Sequence, residues 1–470
     1  MKLGLARIAE IVGATRPRVD SEVTGYSIDS RTAGDGDLFF AIPGPNFDGH
    51  DYIVPALERG SRAAVVSQEW ASKHPAIEPV LAVEDPRRAL GRLASQARRQ
   101  WGRPIVAVTG SNGKTTTKEL IATVLATRYR AAKSSGNLNN DLGLPLSLLR
   151  FDDRAEVGVL EMGMNHAGEI QALAKVAEPS VGVVTNVNPA HLEHFSSVDE
   201  IASAKRELVE GLPSDGVAVL NADDARVRRF ADVHPGRAVT FGIDHEADFQ
   251  AVDVETLGAL GVRFRLVAKS AEKRGPVRFS SPLPGRHNIS NILAAVATAS
   301  GFDIAPERLV DAISEFRPGG MRGEVIETGG VLFLNDCYNS NPRAVHEMLE
   351  VLRQTPAKRR IAVLGEMREL GPDSADLHRA IGRDVASGGI GALVAISGSA
   401  CETAEEALRS GLQRSAVHFF DEVREAGDFL TTLLAAGDAV LFKGSRGVGL
   451  ETALDAVLAS VKGSGKSTKN

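Results

Sequence analysis

Cysteine is nearly missing from this chain: among 470 residues only Cys337 and Cys401 carry a thiol. Two thiols in ordinary settings build neither a disulfide framework nor a zinc site, which fits a reducing compartment. Long apolar runs are missing too. No stretch offers the roughly 18 apolar residues of a membrane span, and Arg7 and Glu10 break up the apolar pattern of MKLGLARIAEIVGA, which therefore lacks a secretory signal's apolar core. An excess of one charge is also absent, since 54 Lys and Arg face 60 Asp and Glu for a net charge of −6. Without blocks of like charge, nothing recruits nucleic acid or an anionic membrane. The expectation is a soluble cytoplasmic monomer, not inserted in a membrane, whose partners are small molecules.

What is present is a chain long enough for about three domains, organised around IVAVTGSNGKTTTKELIATVL at 105–125. An apolar run predicts a strand, Gly110, Ser111, Asn112 and Gly113 a turn, and the residues after Lys114 a helix. Backbone N–H groups of such a turn can close around phosphate oxygens, Lys114 can reach a terminal phosphate, and the hydroxyl of Thr115 can hold Mg²⁺. Val108 stands where the usual G-x-x-x-x-G-K-[ST] spacing wants glycine, so the loop is short. An ordinary strand-to-helix turn is the plain alternative, and the strand and helix context weighs against it. The second GSGKS at 463–467 has no helix after it, and 462–470 are expected to be a disordered tail.

On either side the chain reads as α/β throughout. Residues 1–102 hold a short amphipathic helix and strand-like YSIDSR, DLFFAI and AAVVS, a small domain in which Ser27, Asp29, Ser30 and Arg31 combine on one loop. Arg is suited to bidentate contact with phosphate or carboxylate, and a simple polar turn explains the group equally well. The pattern breaks at Arg103-Pro104, where a central domain of 103–318 begins. Apolar strands there alternate with helices, which predicts a parallel sheet covered on both faces with ligands at the strands' carboxyl ends. The stretch 236–284 reads as an antiparallel insertion. After Pro318-Gly319-Gly320 the alternation resumes, giving a second open α/β sheet over 319–461.

Thr115, Glu161, His191 and Lys205 follow in order at or just beyond predicted strand ends. Glu161 closes an apolar strand, where a metal ligand and a structural carboxylate are equally good accounts, and Glu and His can accompany phosphate oxygens around Mg²⁺. A lone His or Lys says little; the four carry weight by occurring together downstream of a phosphate loop.

With TGSNGKTTTKE, GNLNNDLGLPLSLL, LEMGMNHAGEI, TNVNPAHLEHF, SAKREL, GRHNISNILAA, RGEVIE, DCYNSNPRAV and FKGSRG in view, the whole chain resembles the Mur ligases. The resemblance implies an ATP-dependent amide ligase of peptidoglycan precursor synthesis, with a UDP-sugar domain, a central ATPase and a Rossmann-like third domain. EMGMNHAGEI and DCYNSNP are similar to the member that adds D-alanyl-D-alanine to UDP-N-acetylmuramoyl-tripeptide. By the same resemblance Gly110 to Thr116 would wrap the triphosphate, and Thr115, Glu161, His191 and a carbamylated Lys205 would serve Mg²⁺. Asn288 and Asn291, with Tyr338 and Asn339, would approach the adenine, and Arg322 and Asp336 the nucleotide from the third domain. Asn137, Asn139, Asn140, Lys443 and Arg446 would face the peptide substrates, and Ser27, Asp29, Ser30 and Arg31 the UDP-sugar. The alternatives are a sister Mur ligase, a folate-polyglutamate-type ligase, or a non-catalytic nucleotide switch.

Overall fold

The computed structural model describes residues 2–17, 20–189, 193–269 and 275–464. The first sheet has four parallel strands in the order Gly25–Ser27, Asp37–Phe40, Ala63–Ser67 and Val80–Val83. Helix Pro86–Trp101 leads out of it with both ends marked in sequence: the Asp85 carboxylate accepts from the amides of Arg87 and Arg88, Pro86 opens the first turn, and Gly102 ends it at φ 64°. Leu90, Leu93, Ala94 and Ala97 on this helix share one apolar core with Leu144, Leu146, Leu149 and Leu173 further along the chain. Full burial of each leucine contributes roughly 1.5–3 kcal/mol, so this helix fastens the first sheet to the second.

The second sheet has nine strands, running from Val277–Ser281 at one edge to Ala131–Lys133 at the other. Strand Ile105–Thr109 lies between Val181–Val184 and Val157–Glu161, parallel to both. The chain leaves this strand to one side and later returns on the other, which opens a crevice at its carboxyl end. Helices Lys114–Leu125 and Arg286–Ser300 pack on one face. Helices Glu169–Ala177 and Val198–Glu210 pack on the other. Burial on both faces explains strands with almost no polar alternation.

The stretch 236–284 departs from the antiparallel insertion expected of it. Strand Arg237–Gly242 runs parallel to Val217–Asn221 and continues the sheet, and antiparallel pairing begins only with Phe249–Thr256, Val262–Ala268 and Val277–Ser281. Strand direction is set by the connection: helix Ala225–Arg228 and the turn Arg229–Val233 carry the chain back to the starting edge. The apolar pattern of AVTFGI alone is blind to that crossover.

The third sheet runs in the order Glu324–Thr328, Val331–Asp336, Asp438–Lys443, Arg359–Gly365, Ala392–Ile396 and Val417–Phe420, parallel except for its first strand. Asp336 and Lys443 are register partners at the carboxyl end of neighbouring strands. Helices Pro342–Gln354, Ser374–Ala386 and Ala400–Arg409 cover one face, Val423–Leu433 and Glu451–Ser464 the other. That last helix runs into the stretch expected as a tail, and residues 465–470 lie outside the described residues. Among the described residues no helix is long and apolar enough to cross a membrane.

Candidate nucleotide and ligation site

The loop after Ile105–Thr109 needs glycine at two points. Gly110 has φ 150° and a Cβ there would fall 1.9 Å from Thr185 Oγ1; Gly113 has φ 80° and a Cβ there would fall 2.4 Å from Asn291 Oδ1. The loop is then tied to the next strand's end. The amide of Asn112 donates to Asn186 Oδ1 at 2.9 Å, and its carbonyl accepts from Thr185 Oγ1 at 2.7 Å. Helix Lys114–Leu125 starts directly after Gly113, so its unsatisfied first-turn amides and positive end face the crevice. Lys114 folds back, donating to the carbonyls of Gly110 at 2.9 Å and Ser111 at 3.2 Å. Desolvation holds its ammonium below the usual lysine range and Arg322 adds to this, while Glu161 and Glu369 oppose it.

The crevice widens into a cavity of about 760 Å³ between the second and third sheets, lined by Ser111 to Thr116 on one side. This volume suits a small-molecule ligand. On the same wall Glu161 is buried, accepting from Thr115 Oγ1 at 2.7 Å and from Asn139 Nδ2 at 2.8 Å. Asn137 lines this wall, as do Asn288 and Asn291, which are hydrogen-bonded to each other at 2.9 Å. The facing wall comes from the third sheet. There Asp336 accepts from Lys443 Nζ at 2.6 Å and from the amide of Gly323 at 3.0 Å, and the guanidinium of Arg322 sits 3.7 Å from the ring centre of Tyr338. Asn339 also lines it, and its carbonyl takes a second bond from Lys443. One amide pair joins the walls: Asn341 Nδ2 donates to Asn112 Oδ1 at 2.6 Å while Asn341 Oδ1 caps helix Pro342–Gln354. Amides at a helix start, a lysine, and a hydroxyl beside a carboxylate together can hold a polyphosphate with a hard cation.

Comparison with known proteins accounts for this plan. The chain matches the catalytic domain of the Mur ligase family over 22–98, the Mur ligase middle domain over 108–299, and the Mur ligase glutamate ligase domain over 321–446. It is 33% identical over 456 residues to a UDP-N-acetylmuramoyl-tripeptide–D-alanyl-D-alanine ligase of Bacillus subtilis, covering 96% of this chain and 97% of that protein. The chain belongs to the Mur ligase family. A similarly named protein of Mycobacterium tuberculosis is 35% identical with 98% of each chain covered. Among solved structures, MurF of Acinetobacter baumannii superposes with a TM-score of 0.86 at 29% identity, covering 98% of this chain and 99% of the other. MurF of Thermotoga maritima in complex with ADP superposes with a TM-score of 0.83 at 27% identity, covering 94% and 99%. A folylpolyglutamate synthase of Mycobacterium tuberculosis, at 16% identity and a TM-score of 0.61, shares the fold alone.

Several expected residues of this Mur ligase stand outside the cavity lining. Lys205 is buried on helix Val198–Glu210, held well below the usual lysine range first by desolvation and then by the charge of Lys114. His191 lies outside the described residues. Asn140 lies just ahead of helix Gly143–Leu149, its side-chain oxygen accepting from the amide of Gly143 at 2.8 Å. Arg446 is exposed, paired with Glu451 at 2.6 Å. On the first sheet Arg31 closes onto Asp29 at 2.7 Å and Ser27 onto the backbone of Asp29, in a turn that includes Ser30 and whose Arg31 carbonyl accepts from Arg59. Sequence reasoning passed over Asn186, which braces the loop, Asn341, which bridges the walls, and Arg368 and Glu369, which line the third-sheet wall. The first two stand inside TNVNP and DCYNSNP, where the eye goes to His191 and Tyr338; Glu369 lies just past the strand-like RIAVLGEM.

Proposed function

We propose that this protein joins D-alanyl-D-alanine to UDP-N-acetylmuramoyl-tripeptide, using ATP and giving the UDP-N-acetylmuramoyl-pentapeptide. The observation that carries the reading is the phosphate loop opening into a cavity whose second wall comes from the third sheet, in a chain that follows D-alanyl-D-alanine ligases over nearly its full length. A carboxylate is a poor acyl donor, so ATP first converts the tripeptide's terminal carboxylate into an acyl phosphate, which the dipeptide's amine then attacks. Loop amides and Lys114 stabilise charge on the transferring phosphoryl group, and the two walls supply orientation. Asn288 and Asn291 with Tyr338 and Asn339 take the adenine side, and Arg322 and Asp336 reach the nucleotide from the third domain. Asn137, Asn139, Asn140, Lys443 and Arg446 serve the peptides, with Ser27, Asp29, Ser30 and Arg31 on the UDP-sugar.

The donors fit Mg²⁺: Thr115 and Glu161 bring hard oxygens together at the cavity wall, leaving further positions for phosphate oxygens and water. His191 and Lys205 complete the proposed set, and the ion would neutralise phosphate charge. Burial beside Lys114 supports carbamylation of Lys205, because only the neutral amine adds CO₂ and the product is an anion. A cytoplasmic location fits these nucleotide substrates. The full-length likeness favours this reading over a folate-type ligase or a non-catalytic switch. Phosphate release measured with ATP and UDP-N-acetylmuramoyl-tripeptide, with and without D-alanyl-D-alanine, tests it. Release must depend on both peptides; indifference to the dipeptide overturns it.

A further inference from the structure

Lys118, on the helix that follows the phosphate loop, is fully buried, a place lysine almost never takes without partners. Its ammonium donates to the carbonyls of Ser134 at 2.7 Å and Gly136 at 3.2 Å and sits 3.1 Å from Glu119 Oε1, so its three N–H groups have three acceptors. Both carbonyls belong to the loop that leaves Ala131–Lys133, a three-residue strand at the edge of the second sheet with a neighbour on one side only. Burying a charge is costly even when it is paired and bonded. A clamp on this loop accounts for keeping one here.

The clamped loop runs on to the cavity. Gly136 is followed by Asn137 and Asn139, which both line it. Asn139 donates to Glu161 Oε1 at 2.8 Å, and it lies so close to Gly163 that a Cβ there would fall 2.9 Å from its side chain. Glu161 Oε2 accepts from Thr115, which stands three residues before Lys118 on the same helix. Residues three apart share a helix face. The helix of the phosphate loop therefore grips both flanks of Glu161, one directly through Thr115 and the other through Lys118, the loop and Asn139. We propose that Lys118 is a positioning residue of the ligation reaction, holding residues 134–140 so that Asn137 and Asn139 meet the peptide substrate at a fixed distance from the phosphate loop. Lys118 itself stands outside the cavity lining and acts through these asparagines. Acyl transfer depends on such fixed distances, since a misplacement of about 1 Å can cost about 10²-fold in rate. The inference rests on the ligase reading above.

A double-mutant cycle read by phosphate release tests this role. Wild-type enzyme must release phosphate in dependence on ATP and both peptides; if it does not, the ligase reading fails whatever Lys118 does. Lys118→Met keeps an unbranched side chain and removes the charge and the donors. Its kcat/KM for UDP-N-acetylmuramoyl-tripeptide is expected to fall about 10–100-fold, as for other groups that orient a ligand from behind. Asn139→Ala is expected to fall at least as far. The double variant should then be little worse than Asn139→Ala alone, because the group that Lys118 positions is already gone. A lysine that only stabilises the fold would lower activity by the same factor in both backgrounds, and that multiplicative result overturns the proposal. So does a wild-type kcat/KM in Lys118→Met. Should Lys118→Met not fold, Lys118→Gln takes its place in the cycle; failure of both to fold overturns the proposal and leaves Lys118 a residue of the core.

Discussion

The second-sheet wall of the cavity shapes its phosphate loop through the backbone: two glycines at positive φ, a loop tied to Thr185 and Asn186, and a helix that begins at the cavity. The third-sheet wall holds its groups through paired side chains, Lys443 on Asp336 and Arg322 over Tyr338, and through a loop carrying Glu369 that His378 braces by accepting from the amide of Met367. Backbone sites are costly to disturb with one side chain, whereas each pair on the facing wall can be broken singly. Replacing Lys114 at the phosphate loop should therefore remove chemistry and spare the fold, and breaking the Lys443–Asp336 pair on the facing wall should reach stability as well.

The largest effect is expected from Lys114→Ala. Among the described residues this side chain hydrogen-bonds only loop carbonyls, so its loss should barely move the melting temperature, while kcat should drop by about 10²–10³-fold or more through lost charge stabilisation. Wild-type-like phosphate release would remove the phosphate loop from the mechanism. Next comes Lys205→Ala, expected to lose about 10–100-fold in activity and to regain part of it with acetate, which can restore an anion in the vacated space. Lys205→Arg, permanently cationic, should not be rescued. Full activity of Lys205→Ala without additive, or an unmodified side chain in a nucleotide-bound crystal structure, would leave the lysine a buried structural residue.

The contrast between the walls also explains what the sequence made legible. Backbone sites leave a local signature, because glycines, a lysine and a following helix must come at fixed spacing; residues 105–125 could be read almost whole, and so could the parallel strands around them. Side-chain pairs across a sheet leave none. Asp336 and Lys443 are 107 residues apart and meet only through strand order. The bond from Asn112 to Asn341 spans 229 residues, and the brace on Glu369 depends on His378, which reads in sequence as one more polar residue on an amphipathic helix. The expected antiparallel insertion holds for the pairing of Phe249–Thr256, Val262–Ala268 and Val277–Ser281 and misses Arg237–Gly242 for a related reason, since the direction of that strand is decided by the path between strands.

A moderate effect is expected from Lys443→Met. Lys443 is buried, and its removal leaves Asp336 with its charge uncompensated at a site still partly open to the cavity. The cost should be roughly 1–3 kcal/mol of stability, with a raised KM for the peptide substrates that Lys443 serves and, through the displaced Asp336, for ATP. Adding Asp336→Asn should return part of the stability without returning the affinity. An unchanged melting temperature in Lys443→Met would show that the pair does not hold this wall together.

The smallest effect concerns pH and the brace behind Glu369. Burial holds His378 below its ordinary value of 6.5, against the pull of the Ser374 carbonyl and of Glu366 and Glu402, so the folded chain keeps the ring neutral. The unfolded chain takes up the proton first as pH falls. Stability from this residue is thus fully present above about pH 6.5 and declines below it, until the folded-state ring also titrates, by at most about 1.4 kcal/mol per pH unit. A protonated ring cannot accept from the amide of Met367, so the loop carrying Glu369 should loosen in the same window. His378→Gln keeps an acceptor that does not titrate. Melting temperatures followed from about pH 7.5 to about pH 5.5 should show a shallower acid decline for His378→Gln than for wild type, whereas parallel curves would mean that other groups govern the acid limb and that the brace is indifferent to protonation.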